Sequence, residues 1–415
     1  MTPRTPFRRA AALLAVLALG LAGCTTATAR SAGSSDGAGV IGVSLPSTGE
    51  AGWEHAGDAV ASELRDRGYR VDLQYAADDA RTQASQVQNM LTKGMDAVIV
   101  APLSAEELEG PATIAEEDGV PVLVLGRGLP VAGAGYAAVV EPEELGRAEA
   151  RALLDALDAG EGPDAANPAI SPTPGPTDAP GPDGAAEPDA GTPDGSPSTA
   201  PSEPVQVTVL AGDGNDAWEQ RRHAAAVDEL APAVIEGRIV IASGASWADA
   251  AVADAPLAVP AAAEERAREV ARDAPSSAVA ILALGDDVTR AVVTALTTDP
   301  PTPSPAPTAT PAPAPTGDPA VPLVVGSGAD AATVRALESG VLAATVFTDT
   351  RELAVPLADA LEALLDGDRP AADGTEIPGL GGIPALAIAP RPLRGVDITR
   401  TLVDTGWLTP GELSG

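Results

Sequence analysis

Short runs of Val, Ile, Leu and Ala alternate along the chain with longer stretches in which apolar residues recur every three or four positions. The short runs predict strands buried on both faces, and the longer stretches predict amphipathic helices. Such alternation is typical of parallel sheets covered by helices, so we predict an α/β fold. The predicted strands are 40–45, 71–76, 97–101, 121–125, 137–140, 205–211, 238–242, 279–284, 322–326, 343–347 and 384–389. The predicted helices are 53–67, 79–92, 105–118, 142–159, 217–229, 260–273, 287–297, 331–339 and 349–366, the last opened by a capping box of Asp349 and Glu352.

Two proline-rich segments interrupt this alternation. Residues 161–204 contain 12 prolines and no Lys or Arg, and residues 300–322 contain 10 prolines. Such segments bury too little apolar surface to order themselves, so we predict two disordered insertions. Each follows a helix and precedes a strand, which attaches it at the opposite end of the sheet from the carboxyl ends of the strands, where ligand crevices open. The rest of the chain has a length that suits two compact lobes.

The N-terminus has the pattern of an export signal. Three arginines precede an apolar run at 10–22, which is too short for a permanent membrane-spanning helix and has the length of a signal peptide. The run ends in Leu21-Ala22-Gly23-Cys24, which resembles the lipobox of bacterial lipoproteins, and Cys24 is the only cysteine. We therefore predict a signal peptide over 1–23, lipid attachment at Cys24, a flexible tether over 24–38 and a location on the extracytoplasmic face of the cell membrane. The alternative is an ordinary signal peptide with a chance cysteine.

Charge and composition exclude several classes of function. The chain carries 59 acidic residues against 25 Lys and Arg, a formal charge of −34, so it offers no basic surface for nucleic acid. With one Cys and two His, disulfide frameworks, zinc sites and thiol nucleophiles have no support. We expect neither a metal nor a cofactor.

The candidate motifs for catalysis or nucleotide binding lack the context they need. Gly133 and Gly135 precede a strand instead of opening a helix, which argues against a dinucleotide site. The acidic run 213–216 lacks the later ligands of a calcium loop. His55 and His223 fall on predicted helices with no nucleophile arranged beside them. The sequence therefore predicts that the protein is not an enzyme.

Two of the four tryptophans occupy positions where a crevice is expected. Trp53 and Trp218 each follow a predicted strand and open a helix. A flat indole suits the apolar face of a sugar, while neighbouring polar groups bond its hydroxyls. The alternative is that each ring packs beneath a loop.

Three segments carry a family resemblance. Residues 72–79, residues 83–94 and residues 345–354 resemble signatures of the xylose-type and multiple-sugar solute-binding proteins of bacterial ABC importers. The resemblance runs from about 39 to 408 outside the two insertions. It implies a type I periplasmic-binding-protein fold, in which two Rossmann-like lobes joined by a three-stranded hinge close on a sugar. By this resemblance the N-terminal lobe comprises 39–141 plus 348–374, and the C-terminal lobe comprises 142–347 plus 375–415.

The resemblance also implies a set of ligand contacts, which we transfer only to matching positions. These positions are Trp53, Arg127, Asn215, Trp218, Asp286 and Asp330. Five other contact positions of the family carry a different residue here, namely Gly52, Gly126, Pro142, Gly285 and Thr348. Each buried partner left without its hydrogen bond costs about 1–3 kcal/mol.

Two hypotheses about function follow. The first is a monomeric, lipid-anchored receptor that closes on a small carbohydrate of pentose or hexose type and delivers it to an ABC permease. The second is a degenerate binding-protein fold that acts as a non-transport sensing or interaction lipoprotein. The five changed positions and the two insertions motivate the second hypothesis.

Overall fold

The computed structural model describes most of the chain beyond the predicted leader and tether. The described residues are 39–48, 51–160, 203–273, 279–298, 322–371, 377 and 380–414. The predicted signal peptide, Cys24 and the tether lie outside them, as do nearly all residues of the two predicted insertions. No helix in the described part of the chain is long and apolar enough to span a bilayer.

The first sheet has six parallel strands in the order β12-β5-β4-β3-β1-β2. Its strands are β1 (Gly39–Leu45), β2 (Tyr69–Tyr75), β3 (Ala97–Val100), β4 (Val122–Arg127), β5 (Ala134–Val140) and β12 (Ala385–Ile388). The helices associated with it are α1 (Ala51–Asp66), α2 (Ala80–Thr92), α3 (Ala105–Asp118) and α10 (Ala354–Asp366). Alternate residues of one strand belong to different cores, because Leu123 packs with α1 and α10 while Val122 packs with α2 and α3. The sheet is thus buried on both faces.

The second sheet has the order β13-β11-β10-β9-β6-β7, and a short strand, β8, also pairs with β6. All its pairs are parallel except that of β13 with β11. Its strands are β6 (Val205–Asp213), β7 (Ile239–Ser243), β8 (Ala251–Ala253), β9 (Val279–Ala283), β10 (Leu323–Ser327), β11 (Ala344–Phe347) and β13 (Arg391–Leu393). The helices packed around it are α4 (Pro142–Asp158), α5 (Ala217–Ile235), α6 (Trp247–Ala250), α7 (Val259–Asp273), α8 (Asp286–Thr298), α9 (Ala331–Glu338) and α11 (Pro410–Ser414).

The described chain passes between the two sheets three times. It crosses after β5 at Glu141, after β11 through residues 348–353, and between β12 and β13 at residues 389–390. The predicted two-lobe α/β fold is therefore confirmed, with three connections between the lobes. The helix α4 follows the first crossing and packs closely against α5, because a side chain at Gly146 would collide with the backbone carbonyl of Arg222.

Two details differ from the sequence analysis. Residues 375–415 were assigned to the C-terminal lobe, but Ala385–Ile388 extends the first sheet by pairing with β5, so the C-terminal segment supplies a strand to each sheet. The predicted helix 349–366 begins as a 3₁₀ turn at Thr350–Leu353. Asp349 caps that turn, but the Glu352 carboxylate pairs with Arg391, so the predicted capping box does not form.

Candidate functional site

A cavity of about 200 Å³ lies where the carboxyl ends of strands from both sheets meet. Its lining includes the ends of β4, β5, β6, β10 and β11, the first turn of α1 and the turns that follow β2, β3 and β9. In open parallel sheets this edge is where ligands bind. Of the six predicted contact residues, Trp53, Arg127, Trp218 and Asp286 line the cavity.

Trp53 forms an apolar wall on the side of the first sheet. The residue lies in the first turn of α1 and is 8% exposed. A Cβ atom at Gly126 would lie 2.7 Å from Cζ3 of the Trp53 ring, and Gly126 adopts a φ of +72°. The glycine at this changed family position therefore leaves room for the indole and accepts a backbone conformation that other residues adopt with strain.

Arg127 connects the two lobes. Its Nη1 donates to Oδ2 of Asp216 at 2.5 Å, from the end of β4 to the N-cap of α5. The other carboxylate oxygen of Asp216 accepts from the backbone N–H groups of Trp218 and Glu219. Burial alone would raise the pKa of Asp216, but Arg127 and these N–H groups hold it below its usual value. The pair is charged at neutral pH and ties the lobes together across the cavity.

The ring of Trp218 lies next to two arginine side chains. The guanidinium carbons of Arg127 and Arg222 lie 5.4 Å and 5.8 Å from its ring centroid. The residue is 6% exposed, and its Nε1–H has no hydrogen-bond partner among the described residues. An unpaired buried donor costs about 1–3 kcal/mol, so the Nε1–H of this lining residue is a candidate donor to a ligand.

Arg222 is the centre of a buried network of charged side chains. Arg222 pairs with Glu149 of α4 and with Glu219 of its own helix, and it also donates to Ser327 at the end of β10. Burial raises the pKa of Glu219 to about 7, against the opposing effect of Arg222. The network fixes α4, which follows the first crossing, to the second sheet.

Asp286 lies at the start of α8, directly after Gly285, whose φ is +106°. Among the described residues, none forms a hydrogen bond with its carboxylate. Burial raises the pKa of Asp286 to about 6, although Arg222 and Arg290 oppose the shift. Its neighbour Asp287, by contrast, pairs with Arg290.

Asn215 and Asp330 are not among the residues that line the cavity. The side-chain amide of Asn215 donates to the carbonyl of Asp254 at 2.7 Å. Asp330 accepts from the backbone N–H of Thr333 as the N-cap of α9, and it pairs with Arg290 at 3.0 Å. Both side chains are engaged in local structure, and their role as ligand contacts stays a prediction.

Asp78 lines the cavity from the first lobe and was not predicted. It follows Ala77 in the turn after β2, and these two non-glycine residues have φ values of 53° and 57°. Strained backbone of this kind costs about 1–3 kcal/mol per residue and is concentrated at functional sites. Burial raises the pKa of Asp78, against a hydrogen bond from Ser47 and the charge of Arg127.

Trp407 is a second lining residue that the sequence did not reveal. It lies 60 residues beyond β11 in the chain. Its ring packs edge-on against Phe347, with the ring centroids 4.6 Å apart, and it also packs against the tilted ring of His55, with the centroids 4.0 Å apart. Its Nε1 donates to the carbonyl of Ala329. The C-terminal segment thereby closes one side of the cavity at the second crossing.

Four of the five changed family positions, Gly52, Gly126, Gly285 and Thr348, line the cavity. The Gly52 carbonyl accepts from the hydroxyl of Thr350 at 2.7 Å. Pro142 instead opens α4 at its first position, where a missing N–H carries no cost. Within the described residues, no group of three or more His, Cys, Asp or Glu side chains could hold a metal ion.

Comparison with known proteins gives consistent matches. A family model described as "Periplasmic binding protein domain" matches residues 41–369. The multiple sugar-binding periplasmic receptor ChvE of Rhizobium radiobacter is 24% identical over 380 residues, which cover 90% of this chain and 92% of the receptor. The multiple sugar-binding periplasmic protein SbpA of Azospirillum brasilense is 24% identical over 385 residues and 90% of each chain.

Solved structures agree at the level of the fold. A solute-binding protein of an ABC transporter from Clostridium phytofermentans, with bound β-D-glucose, superposes with a TM-score of 0.68 at 22% identity, covering 90% of this chain and 99% of that one. A carbohydrate transporter solute-binding protein from Chloroflexus aurantiacus, in complex with D-glucose, gives a TM-score of 0.66 at 19% identity, covering 90% and 97%.

Proposed function

The chain belongs to the periplasmic binding protein family, and on this premise we propose that it is a lipid-anchored solute-binding protein of an ABC importer. In this proposal it binds a small carbohydrate of pentose or hexose size between its lobes and, as a monomer, delivers the sugar to a permease. The family implies an extracytoplasmic location, and the matched relatives are sugar-binding receptors. These relatives are receptors and not enzymes, in agreement with the prediction that the chain is not an enzyme.

The observation that carries this proposal is the cavity between the lobes. Its volume of about 200 Å³ lies below the roughly 300–1,000 Å³ of pockets for drug-sized ligands, which favours a monosaccharide over a longer chain. Its lining combines the apolar ring of Trp53 with charged groups from both lobes. Such a mixture of one flat apolar wall and a few polar groups suits a sugar, which has an apolar face and a rim of hydroxyls.

We assign roles to the predicted residues as follows. Trp53 supplies the stacking surface, Trp218 donates from Nε1, and Arg127 and Asp286 bond hydroxyls from opposite lobes. Asn215 and Asp330 are retained as candidate contacts. Unchanged affinity for a confirmed ligand after Asp330→Ala would remove Asp330 from the site.

The anchor and the permease rest on sequence and family alone. Cys24 ends a lipobox-like run, and the relatives include solute-binding proteins of ABC transporters. Replacing Cys24→Ala should release the protein from the membrane fraction of expressing cells. A variant that stays membrane-bound would contradict lipid attachment at this residue. The comparisons give no support to the alternative of a sensing or interaction lipoprotein.

The test of binding is thermal unfolding of residues 25–415 with pentoses, hexoses, inositols and disaccharides at millimolar concentration. A ligand at 100 times its Kd adds about 2.7 kcal/mol of stability, which shifts the midpoint measurably. Trp53→Ala should weaken the affinity for the best sugar by about tenfold or more, or about 1.4 kcal/mol. The matched control is Glu117→Gln on the exposed surface of α3, which should leave affinity unchanged. A folded protein that responds to no sugar would contradict the proposal.

A further inference from the structure

The lining of the cavity is unbalanced in charge. Among the described residues, its cationic side chains are Arg127 and Arg222, and neither Lys nor His contributes. Its acidic side chains are Asp78, Asp213, Asp216, Glu219, Asp286 and Asp287. A ligand that enters therefore meets an excess of carboxylates.

Both arginines are already committed to carboxylates of the protein. Arg127 pairs with Asp216, and Arg222 is shared between Glu149 and Glu219. Arg222 is 3% exposed and Glu149 is fully buried, so this group is not accessible for exchange with a ligand. The arginines thus stabilise acidic residues of the wall and leave little positive charge for an anionic ligand.

Three carboxylates of the lining have no ion-pair partner in the described structure. Asp78 has a side-chain hydrogen bond with Ser47, and Asp213 accepts one from the backbone N–H of Asn215. The Asp286 carboxylate accepts no hydrogen bond from the described residues. Asp78 belongs to the first lobe, and Asp213 and Asp286 belong to the second. Enclosing unpaired carboxylates between closing lobes removes them from water, which is costly unless a cation accompanies them.

An independent observation points to a second feature of the ligand. The side chain of Trp218 lines the cavity, and its buried Nε1–H has no acceptor among the described residues. Buried donors of this kind are normally paired, which leaves a place for an acceptor supplied by water or by a ligand in the cavity. Water or a hydroxyl oxygen would satisfy the donor, whereas an ammonium group has no lone pair to offer.

We propose that the physiological ligand is a polyhydroxylated amine, such as an amino sugar, whose ammonium group pairs with Asp286 and whose hydroxyl accepts from Trp218. This inference rests on the proposed sugar-binding function and specifies the ligand class. The ammonium supplies the counter-charge that the lining lacks, and charge-assisted hydrogen bonds are about twice as strong as neutral ones. A sugar acid is disfavoured because its carboxylate meets unpaired carboxylates.

The electrostatics of Asp286 agree with this assignment. Burial raises the pKa of Asp286 to about 6, with Asp330 and Asp287 adding to the shift and Arg222 and Arg290 opposing it. A bound cation would favour the ionised carboxylate and lower that pKa. Binding of the amine should therefore release protons when measured near pH 6.

The test compares sugars that share one ring and differ only in charge. We would titrate the protein calorimetrically at pH 7 with D-glucose, D-glucosamine and D-glucuronate, and with the corresponding galacto and manno series. The expected result is that at least one amino sugar binds ten times more tightly than its neutral parent, that its affinity falls with added salt, and that no uronate binds. In Asp286→Asn the preference for the amine should disappear, while Glu117→Gln should keep it.

The other possible results separate failure of this inference from failure of the proposed function. A neutral hexose that binds as tightly as its amine, or a uronate that binds best, would overturn the inference and leave the proposed sugar receptor standing. No binding by any of the nine sugars to a cooperatively folded protein would overturn the inference, and no response to the pentoses, inositols and disaccharides of the thermal panel either would overturn the proposed function as well. If Asp286→Asn does not fold, Asp78→Asn in the other lobe replaces it, and a preference for the amine that survives in every folded variant would refute the assignment to these carboxylates.

Discussion

The buried pair of Arg222 and Glu149 makes a strong prediction about stability. Glu149 lies on α4, which follows the first crossing between the lobes, and its carboxylate is fully buried against Arg222 and Ser327. Glu149→Gln keeps the size of the side chain but removes its charge. Arg222 then stays buried with Glu219 as its remaining carboxylate, 3.2 Å away.

The size of the effect follows from burial. Removing one member of a buried ion pair costs about 3–5 kcal/mol because the other charge loses its compensation. Since Glu219 retains part of the pairing, we expect the lower end, about 3 kcal/mol. The same two helices supply a matched control in Arg151 and Glu229, an exposed pair at 3.0 Å, for which Glu229→Gln should cost about 1 kcal/mol or less.

Urea unfolding at neutral pH, monitored by tryptophan fluorescence, measures both variants. The expected outcome is a free energy of unfolding that falls by about 3 kcal/mol in Glu149→Gln and changes little in Glu229→Gln. Equal losses in the two variants would refute the reasoning, because burial would then have no influence on the value of the pair.

Three further predictions follow. Because the pKa of Glu219 is raised to about 7 in the folded protein, the folded state holds an extra proton between the unfolded pKa and pH 7, so this group destabilises the protein as the pH rises through that window. Urea unfolding measures the difference in unfolding free energy between Glu219→Gln and the native protein, and this difference should favour the variant more at pH 8 than at pH 5. The same difference at both pH values would contradict the raised pKa of Glu219. Trp407→Ala removes a ring that is 3% exposed and should cost about 3–5 kcal/mol in thermal unfolding, more than Trp407→Phe; equal costs would exclude a packing role. Gly126→Ala places a methyl group against Trp53 at a φ of +72° and should weaken sugar binding in calorimetry, whereas unchanged affinity would show that the ring moves freely.

The fold was predictable because most of its strands are continuous apolar runs, which are typical of a sheet buried on both faces. The prediction was least accurate where the pattern is weakest. The Ala-rich run at Ala385–Ile388 was recognised as a strand, but nothing in its own residues shows which sheet it joins, since that depends on pairing with β5 more than 240 residues earlier. The short strand β8 and the helix α6 fall below the length at which periodicity is visible.

The candidate site was predictable only in part. Trp53, Arg127, Trp218 and Asp286 lie at the carboxyl end of a strand or at the start of the helix that follows it, and this edge of the sheets lines the cavity. Asp78 was missed because its position depends on two successive residues with positive φ, a conformation that Ala77 does not favour by residue type.

The placement of Trp407 depends on long-range packing. No local pattern distinguishes it from any other tryptophan near a chain end, and its contact with Phe347 joins segments that are 60 residues apart. Both residues belong to the core of the second sheet, so this contact forms only when distant segments of that lobe fold together.

The nine residues from Ala385 to Leu393 contribute one strand to each sheet, which limits how the protein can be divided. A recombinant fragment that ends at residue 374 would lack β12 and expose the unpaired edge of β5. Exposed strand edges template association with other chains, so such a fragment should aggregate. A soluble isolated first lobe would require residues 385–388 to be supplied as a separate peptide or grafted by circular permutation.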